Sequence, residues 1–280
     1  MRAAATVVLW AIASLLPLHE SVRAQTPTAD DAPADRPVPR SDENSRIAHA
    51  ELLQKRTKGR IDVYFVGDSI TRRWGAIDYP ELLENWKANF YGWNAADFGW
   101  GADRVENILW RLEHEELDGV NPRVIVILAG TNNVGARPGD AGKVENITRG
   151  LQAVVDICRR KAPDAVIVLT AIFPRNDNMA VMPEIVRVNE SLARVADGKT
   201  IIFLNVNDKL ADADGRLLDG MMNADKLHPA VKGYQVWADG LTPILTKLLG
   251  PRAKTDHAPP PTGDPSRRTP TLRQSERRHS

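Results

Sequence analysis

The sequence predicts an α/β domain built on a parallel sheet of about five strands, with helices on both faces. Three observations carry that expectation. Short β-branched runs recur along the chain, these runs are apolar throughout, and amphipathic stretches of helical period separate them. A strand covered on both faces has no solvent side, so its residues do not alternate between apolar and polar. Regular alternation of strand and helix then calls for parallel pairing with crossover helices.

The elements follow in order. Residues 47–56 read as a helix, and 61–66 (IDVYFV) as the first strand. Residues 95–98 form a weaker strand candidate. Within 104–116, Val105, Ile108, Leu109 and Leu112 stand at i, i+3, i+4 and i+7, the apolar stripe of a helix. The run 123–128 (RVIVIL) is the next strand, followed by a helix over 142–161 and a strand over 165–170 (AVIVLT). A helix over 183–196, a strand over 200–204 (TIIFL) and a helix over 234–249 complete the domain.

The ends differ in composition from this core. Of the 19 prolines, four lie in 25–45 and six in 251–280. The last thirty residues hold seven Lys/Arg against three Asp/Glu. These stretches are expected to be a disordered leader (25–45) and a disordered basic tail (251–280), leaving 46–250 as one domain. Residues 7–16 are an apolar run too short to span a bilayer comfortably, Arg2 precedes it, and Val22 and Ala24 precede Gln25 as small residues of a cleavage site. Residues 1–24 therefore read as a signal peptide, with a secreted or periplasmic protein and no stable membrane span after cleavage as the expectation. The alternative is an uncleaved anchor. The net charge of +1 gives no support for nucleic-acid binding, and a lone cysteine, Cys158, excludes an internal disulfide framework or a multi-cysteine zinc site.

Ligands of such sheets bind at the carboxyl ends of the strands. There the sequence places Gly67-Asp68-Ser69-Ile70, then Phe98-Gly99-Trp100-Gly101-Ala102-Asp103, then Ala129-Gly130-Thr131-Asn132-Asn133; Asp225-Lys226-Leu227-His228-Pro229 precedes the last helix. Ser69 and Ser191 are the only serines between residues 46 and 250, and Ser191 falls inside a helix. Ser69 is thus the candidate nucleophile, which needs a base to take its proton; a plain helix N-cap is the alternative. His49 and His114 fall in helices, which leaves His228 as the candidate base. Asp225, three residues earlier, is placed to fold back and fix one tautomer of the ring. Pro229 biases His228 toward an extended backbone. Gly101 and Asn132, with the Ser69 N–H, are candidate donors for an oxyanion; a turn glycine and an Asx-turn are the alternatives.

This set resembles the SGNH, or GDSL, hydrolase superfamily. The stretch 98–112 (FGWGADRVENILWRL), with Gly130-Thr131-Asn132-Asn133 and Pro174-Arg175, is similar to the catalytic alpha-type subunits of intracellular platelet-activating-factor acetylhydrolase. The resemblance covers about 60–248. It implies a flavodoxin-like three-layer α/β/α sandwich and serine-dependent ester hydrolysis with neither metal nor cofactor. By position it implies Ser69 as nucleophile, His228 as general base and then acid, Asp225 as its orienter, and an oxyanion hole of Ser69, Gly101 and Asn132. Asp68 reads as local turn support. Ala102 departs from the pattern, standing where those subunits usually have a second glycine, and so does the basic pair Arg72-Arg73. No Gly-x-Ser-x-Gly elbow is present, which disfavours an ordinary α/β-hydrolase.

The expected substrate is a small-molecule or carbohydrate ester with a short, acetyl-type acyl group. A lysophospholipase or thioesterase acting on longer chains, and a catalytically silent carbohydrate- or envelope-binding module, are the other readings. Trp100 and Trp74 are candidate pocket residues, since an aromatic beside the oxyanion glycine can stack on a sugar face; packing is the alternative. Arg72 or Arg73 is a candidate contact for an anionic group. The sequons at Asn146 and Asn189 matter only where the source glycosylates.

Overall fold

A computed structural model describes residues 33–268. The expected signal peptide and residues 25–32 lie outside the described residues. Five strands, β1 (Val63–Gly67), β2 (Ala95–Asp97), β3 (Val124–Leu128), β4 (Val166–Thr170) and β5 (Ile201–Leu204), form one sheet in the order β2-β1-β3-β4-β5. Every pairing is parallel, with Val63 opposite Val124 and Gly67 opposite Leu128 at the centre. The weak stretch at 95–98 is a strand after all, short and at the sheet edge.

Among the described residues, eight α-helices cover the sheet: α1 (Glu43–Lys55), α2 (Ser69–Gly75), α3 (Pro80–Phe90), α4 (Val105–Arg111), α5 (Thr131–Val134), α6 (Ala141–Lys161), α7 (Met182–Val195) and α8 (Val231–Leu249). Successive strand residues point to opposite faces, so the sheet divides the core in two. Tyr64, Val66, Ile125 and Ile127 face Ile108 of α4, Leu151 and Val154 of α6 and Val188 of α7. Val63, Phe65, Val124 and Val126 face Trp74 of α2, Trp86 and Phe90 of α3 and Trp237 of α8. The result is the expected three-layer sandwich. Its strand order reverses between β1 and β3, which opens a crevice above their carboxyl ends.

Both flanking segments depart from expectation where they are described. Over residues 33–45 the leader is ordered, because its polar backbone groups find partners on the domain. Ala34 N–H donates to Asn146 Oδ1 at 3.0 Å, Val38 N–H to the Glu106 carbonyl at 3.0 Å, and Asn107 Nδ2 to the Val38 carbonyl at 2.9 Å. Ala34 is buried in a notch on α6 that only a glycine leaves open: a Cβ at Gly150 would meet the Ala34 Cβ at 2.7 Å. Asp42 then caps α1 by accepting from the Ser45 N–H at 2.8 Å.

The expected tail is likewise not disordered over 251–268. It runs as a strap along the β2 side of the sheet. Ala253 N–H donates to the Gly92 carbonyl, Arg60 N–H to the His257 carbonyl, and Ile77 N–H to the Thr262 carbonyl, at 3.0, 2.8 and 3.1 Å. Pro259, Pro260 and Pro261 roof a cavity of about 410 Å³ between the strap and β2, with Trp86 and Phe90 in its wall. A covered edge strand is protected from pairing with other chains.

Candidate active site

The site is assembled at the reversal point from four loops. β1 ends at Gly67, and Asp68 starts α2 by accepting from the Ile70 N–H at 2.9 Å. Asp68 thus gives the turn support expected of it. Ser69 is the first residue of α2, where a backbone N–H has no acceptor within the helix and is free for a ligand.

Ser69 Oγ lies 2.9 Å from His228 Nε2. His228 Nδ1 lies 2.8 Å from Asp225 Oδ2. The other Asp225 oxygen accepts from the Leu227 and His228 N–H groups at 3.1 and 3.0 Å. The carboxylate therefore folds back on its own loop, as the three-residue spacing suggests, and with Nδ1–H donating to it, Nε2 is left to accept from the serine. The loop is closed at its base, where Asn223 N–H donates to the His228 carbonyl at 2.8 Å. Tyr234 of α8 donates to the Ile70 carbonyl at 2.7 Å, which ties the histidine-bearing segment to the serine-bearing helix.

Burial opposes ionisation of Asp225, but the amide and imidazole hydrogen bonds outweigh it and hold its pKa below the ordinary carboxylate value. His228 is 8% exposed. Burial first, then the cation of Arg73, lowers its pKa below 6.5 against the pull of Asp225. The ring is accordingly neutral at pH 7, the form that can accept a proton.

The loop after β2 carries Gly101. Trp100 N–H donates to the Gly67 carbonyl at 3.1 Å, which lays this loop against the β1–α2 turn. Gly99 allows the approach: a Cβ there would sit 2.4 Å from the Arg72 backbone nitrogen. At Gly101 nothing lies within 4 Å of where a Cβ would be, so the space in front of its backbone is open. Ala102 has φ of 61°, in the left-handed region that a glycine adopts at no steric cost. Asn132 stands on α5, after Gly130 turns the chain with φ of 110°. Its Nδ2 donates to the Asp103 carbonyl at 2.8 Å, which binds the two donor-bearing loops together and uses one of its two protons.

Several supporting groups escaped the sequence reading. Arg111 of α4 is buried and holds the Gly101 loop from below, donating to Asp103 Oδ2 at 2.7 Å and to the Phe98 carbonyl at 3.0 Å. Arg40, from the leader, donates to the Gly101 carbonyl at 2.9 Å. Arg175 donates to the Thr131 carbonyl at 3.1 Å and pairs with Asp177. The Pro174-Arg175 resemblance flagged that last residue, but not what it touches. Nothing local in the sequence marks the other two.

The two tryptophans need correction. Trp74 is 0% exposed and sits between Phe90, Tyr234 and Trp237, with its indole N–H on Asn85 Oδ1 at 2.9 Å. It is a core residue and faces no substrate. Trp100 is 7% exposed, donates to Ser45 Oγ at 2.8 Å and lies under the Arg72 guanidinium, with 5.0 Å to the ring centroid. It packs between α1, α2 and the strap. Arg72 is itself engaged with Asp78, so only Arg73 of the pair reaches the histidine loop. The Asn189 amide is buried in a hydrogen-bonded pair with the Ile172 backbone, at 2.8 and 2.9 Å, which leaves no room for a glycan.

Among the described residues no three His, Cys, Asp or Glu side chains come together as a metal site, and no helix is long and apolar enough to cross a membrane. The arrangement is that of a hydroxyl, an imidazole and a carboxylate in hydrogen-bonded series, which suits acyl transfer.

Known proteins are similar to this chain. The platelet-activating factor acetylhydrolase IB subunit alpha1 of Bos taurus is 28% identical over 244 residues, covering 85% of this chain and all of that protein. The alpha2 subunit of Homo sapiens is 29% identical over 195 residues, covering 67% and 77%. Among solved structures, a GDSL-like lipase from Bacteroides thetaiotaomicron superposes with a TM-score of 0.55 at 19% identity, covering 74% of this chain and 98% of that one, which speaks for the fold. The sequence pattern of the GDSL-like Lipase/Acylhydrolase family matches residues 65–236. With that match spanning more than half its length, the chain belongs to the GDSL-like lipase/acylhydrolase family.

Proposed function

We propose that this protein is an exported serine esterase that removes short, acetyl-type acyl groups from small-molecule or carbohydrate esters. The observation that carries the chemistry is the continuous relay from Ser69 Oγ through His228 to Asp225, at 2.9 and 2.8 Å. His228 Nε2 takes the Ser69 proton as Oγ attacks the ester carbonyl carbon. Negative charge gathers on the carbonyl oxygen, where the N–H groups of Ser69 and Gly101 and the free Asn132 Nδ2 proton stabilise it. The C–O bond breaks, the alcohol leaves with the proton from His228, and an acyl-serine remains. Water, deprotonated by His228, attacks that ester; the acyl C–Oγ bond breaks, the acid is released and His228 returns its proton to Ser69 Oγ. Asp225 keeps the imidazole in register throughout.

The short-acyl preference draws support from relatives named as acetylhydrolases. Export rests on the charged, apolar and small-residue pattern of residues 1–24.

A series of p-nitrophenyl esters from acetyl to palmitoyl tests the reading. Activity should peak at acetyl and butyryl, and Ser69→Ala should lower kcat by about 10⁴–10⁶-fold. A folded Ser69→Ala protein with undiminished activity removes Ser69 from the chemistry, and a maximum at long chains moves the substrate to lipids. Export is checked by finding the mature chain, beginning near Gln25, outside the cytoplasm.

A further inference from the structure

Arg73 has no place in the relay described above, yet it touches it. It lies on α2, four residues after Ser69, and its Nη1 stands 3.5 Å from Asp225 Oδ2. That is the same oxygen that pairs with His228 Nδ1 at 2.8 Å. One carboxylate oxygen thus serves a fixed cation and a titrating ring. The arginine is steadied by the Tyr79 ring, 5.4 Å from its guanidinium carbon, and its side chain is 25% exposed. Resting on the function proposed above, we infer that Arg73 is a positioning residue that keeps the catalytic imidazole a weak base, so that the enzyme works in mildly acidic surroundings.

The physical argument compares the two states of His228. In the neutral ring, Nδ1–H donates to Asp225 and Arg73 completes the carboxylate's coordination. Once Nε2 takes a proton, the imidazolium faces the Arg73 cation across a shared anion, and part of the Asp225 charge is already neutralised. The charged groups around the ring are few. Asp225 favours the imidazolium from its own loop. Arg73 opposes it from α2, and Arg175 opposes it from the loop after β4, although Asp177 screens that arginine. Asp68 is buried one residue before Ser69. Of these, only Arg73 contacts the carboxylate that His228 depends on. A ring that stays neutral to lower pH remains a competent base there, and as a stronger acid it also returns its proton more readily to the leaving alcohol.

The test is the pH profile of kcat/KM on p-nitrophenyl acetate for wild type, Arg73→Gln and Arg73→Lys, with melting temperatures alongside. In Arg73→Gln the acid limb should move up by about 0.5 to 1 pH unit, while Arg73→Lys should keep it near the wild-type position. A role limited to packing would lower the melting temperature or kcat and leave the limb in place. The idea is overturned by an unmoved limb in Arg73→Gln, or by an equal shift in both variants. To separate this from the ester reading, the His228 ring is titrated by NMR in the Ser69→Ala protein, with and without Arg73→Gln, the signal being assigned by its loss in His228→Gln. A higher titration midpoint without the arginine supports the assignment even if no ester tried is hydrolysed. An unchanged midpoint refutes it, whatever the substrate.

Discussion

Arg40 donates from Nη1 to the Gly101 carbonyl at 2.9 Å. A residue of the N-terminal extension therefore holds the peptide next to a candidate oxyanion donor, 61 positions further along the chain. Its other nitrogen, Nη2, pairs with Asp42 at 2.9 Å, the cap of α1, so the arginine is itself fixed. Arg40→Gln should let the Gly101 loop drift. We expect kcat on acetyl esters to fall by about 10-fold to 10²-fold with little change in KM, because the lost contact matters most when charge develops on the oxyanion. A rise in KM alone would place Arg40 in substrate binding.

Asp225 holds His228 through both carboxylate oxygens, one on the ring and one on the backbone N–H. Asp225→Asn keeps the shape but presents an amide that favours the wrong imidazole tautomer. The expected loss in kcat is about 10⁴-fold near pH 7, with the fold unchanged by circular dichroism. A loss below about tenfold would mean that the loop backbone alone orients the ring.

Asp68 makes a stability prediction of unusual sign. One of its oxygens caps α2, while the other is buried and finds no donor among the described residues. Burial, with the nearby charge of Asp103, pushes its pKa up to about 7. The folded chain then holds a proton that the unfolded chain releases near pH 4. Stability due to this group falls as pH rises from about 4 to about 7 and stays low above that. Asp68→Asn removes the titration and keeps the cap. Its melting temperature should match wild type near pH 4 and exceed it by about 5 °C at pH 8. Asp97, raised to about 6, titrates in both proteins and cancels in the difference. A difference that does not change with pH would show that Asp68 is ionised throughout.

The strap should be part of the folded unit. Ending the chain at Gly250 removes the partners of Gly92, Arg60 and Ile77 and uncovers the Trp86 and Phe90 wall of the 410 Å³ cavity. The shortened protein should melt about 5–10 °C lower and bind a hydrophobic dye that the full chain does not. Equal melting temperatures would make the strap a passenger.

What the sequence determined by itself was whatever local pattern encodes. Continuous apolar runs marked β1, β3, β4 and β5, the i, i+3, i+4 stripe of Val105, Ile108 and Leu109 marked a helix, and strand-end blocks marked Ser69, Gly101 and Asn132. Asp225 and His228 were legible because the carboxylate and ring they join are three residues apart. Tertiary structure alone decided the rest. A tryptophan has the same local signature whether it lines a pocket or fills a core, and only the packing of α2 against α3 and α8 put Trp74 in the core. Arg73 and Arg40 act on groups 152 and 61 positions away, a separation with no periodicity to reveal it. The flanking segments looked disordered because their composition cannot bury a core of their own. They are ordered by the domain's surface, where a notch at Gly150 and the backbone of Arg60, Ile77 and Gly92 supply the burial and hydrogen bonds that the segments lack.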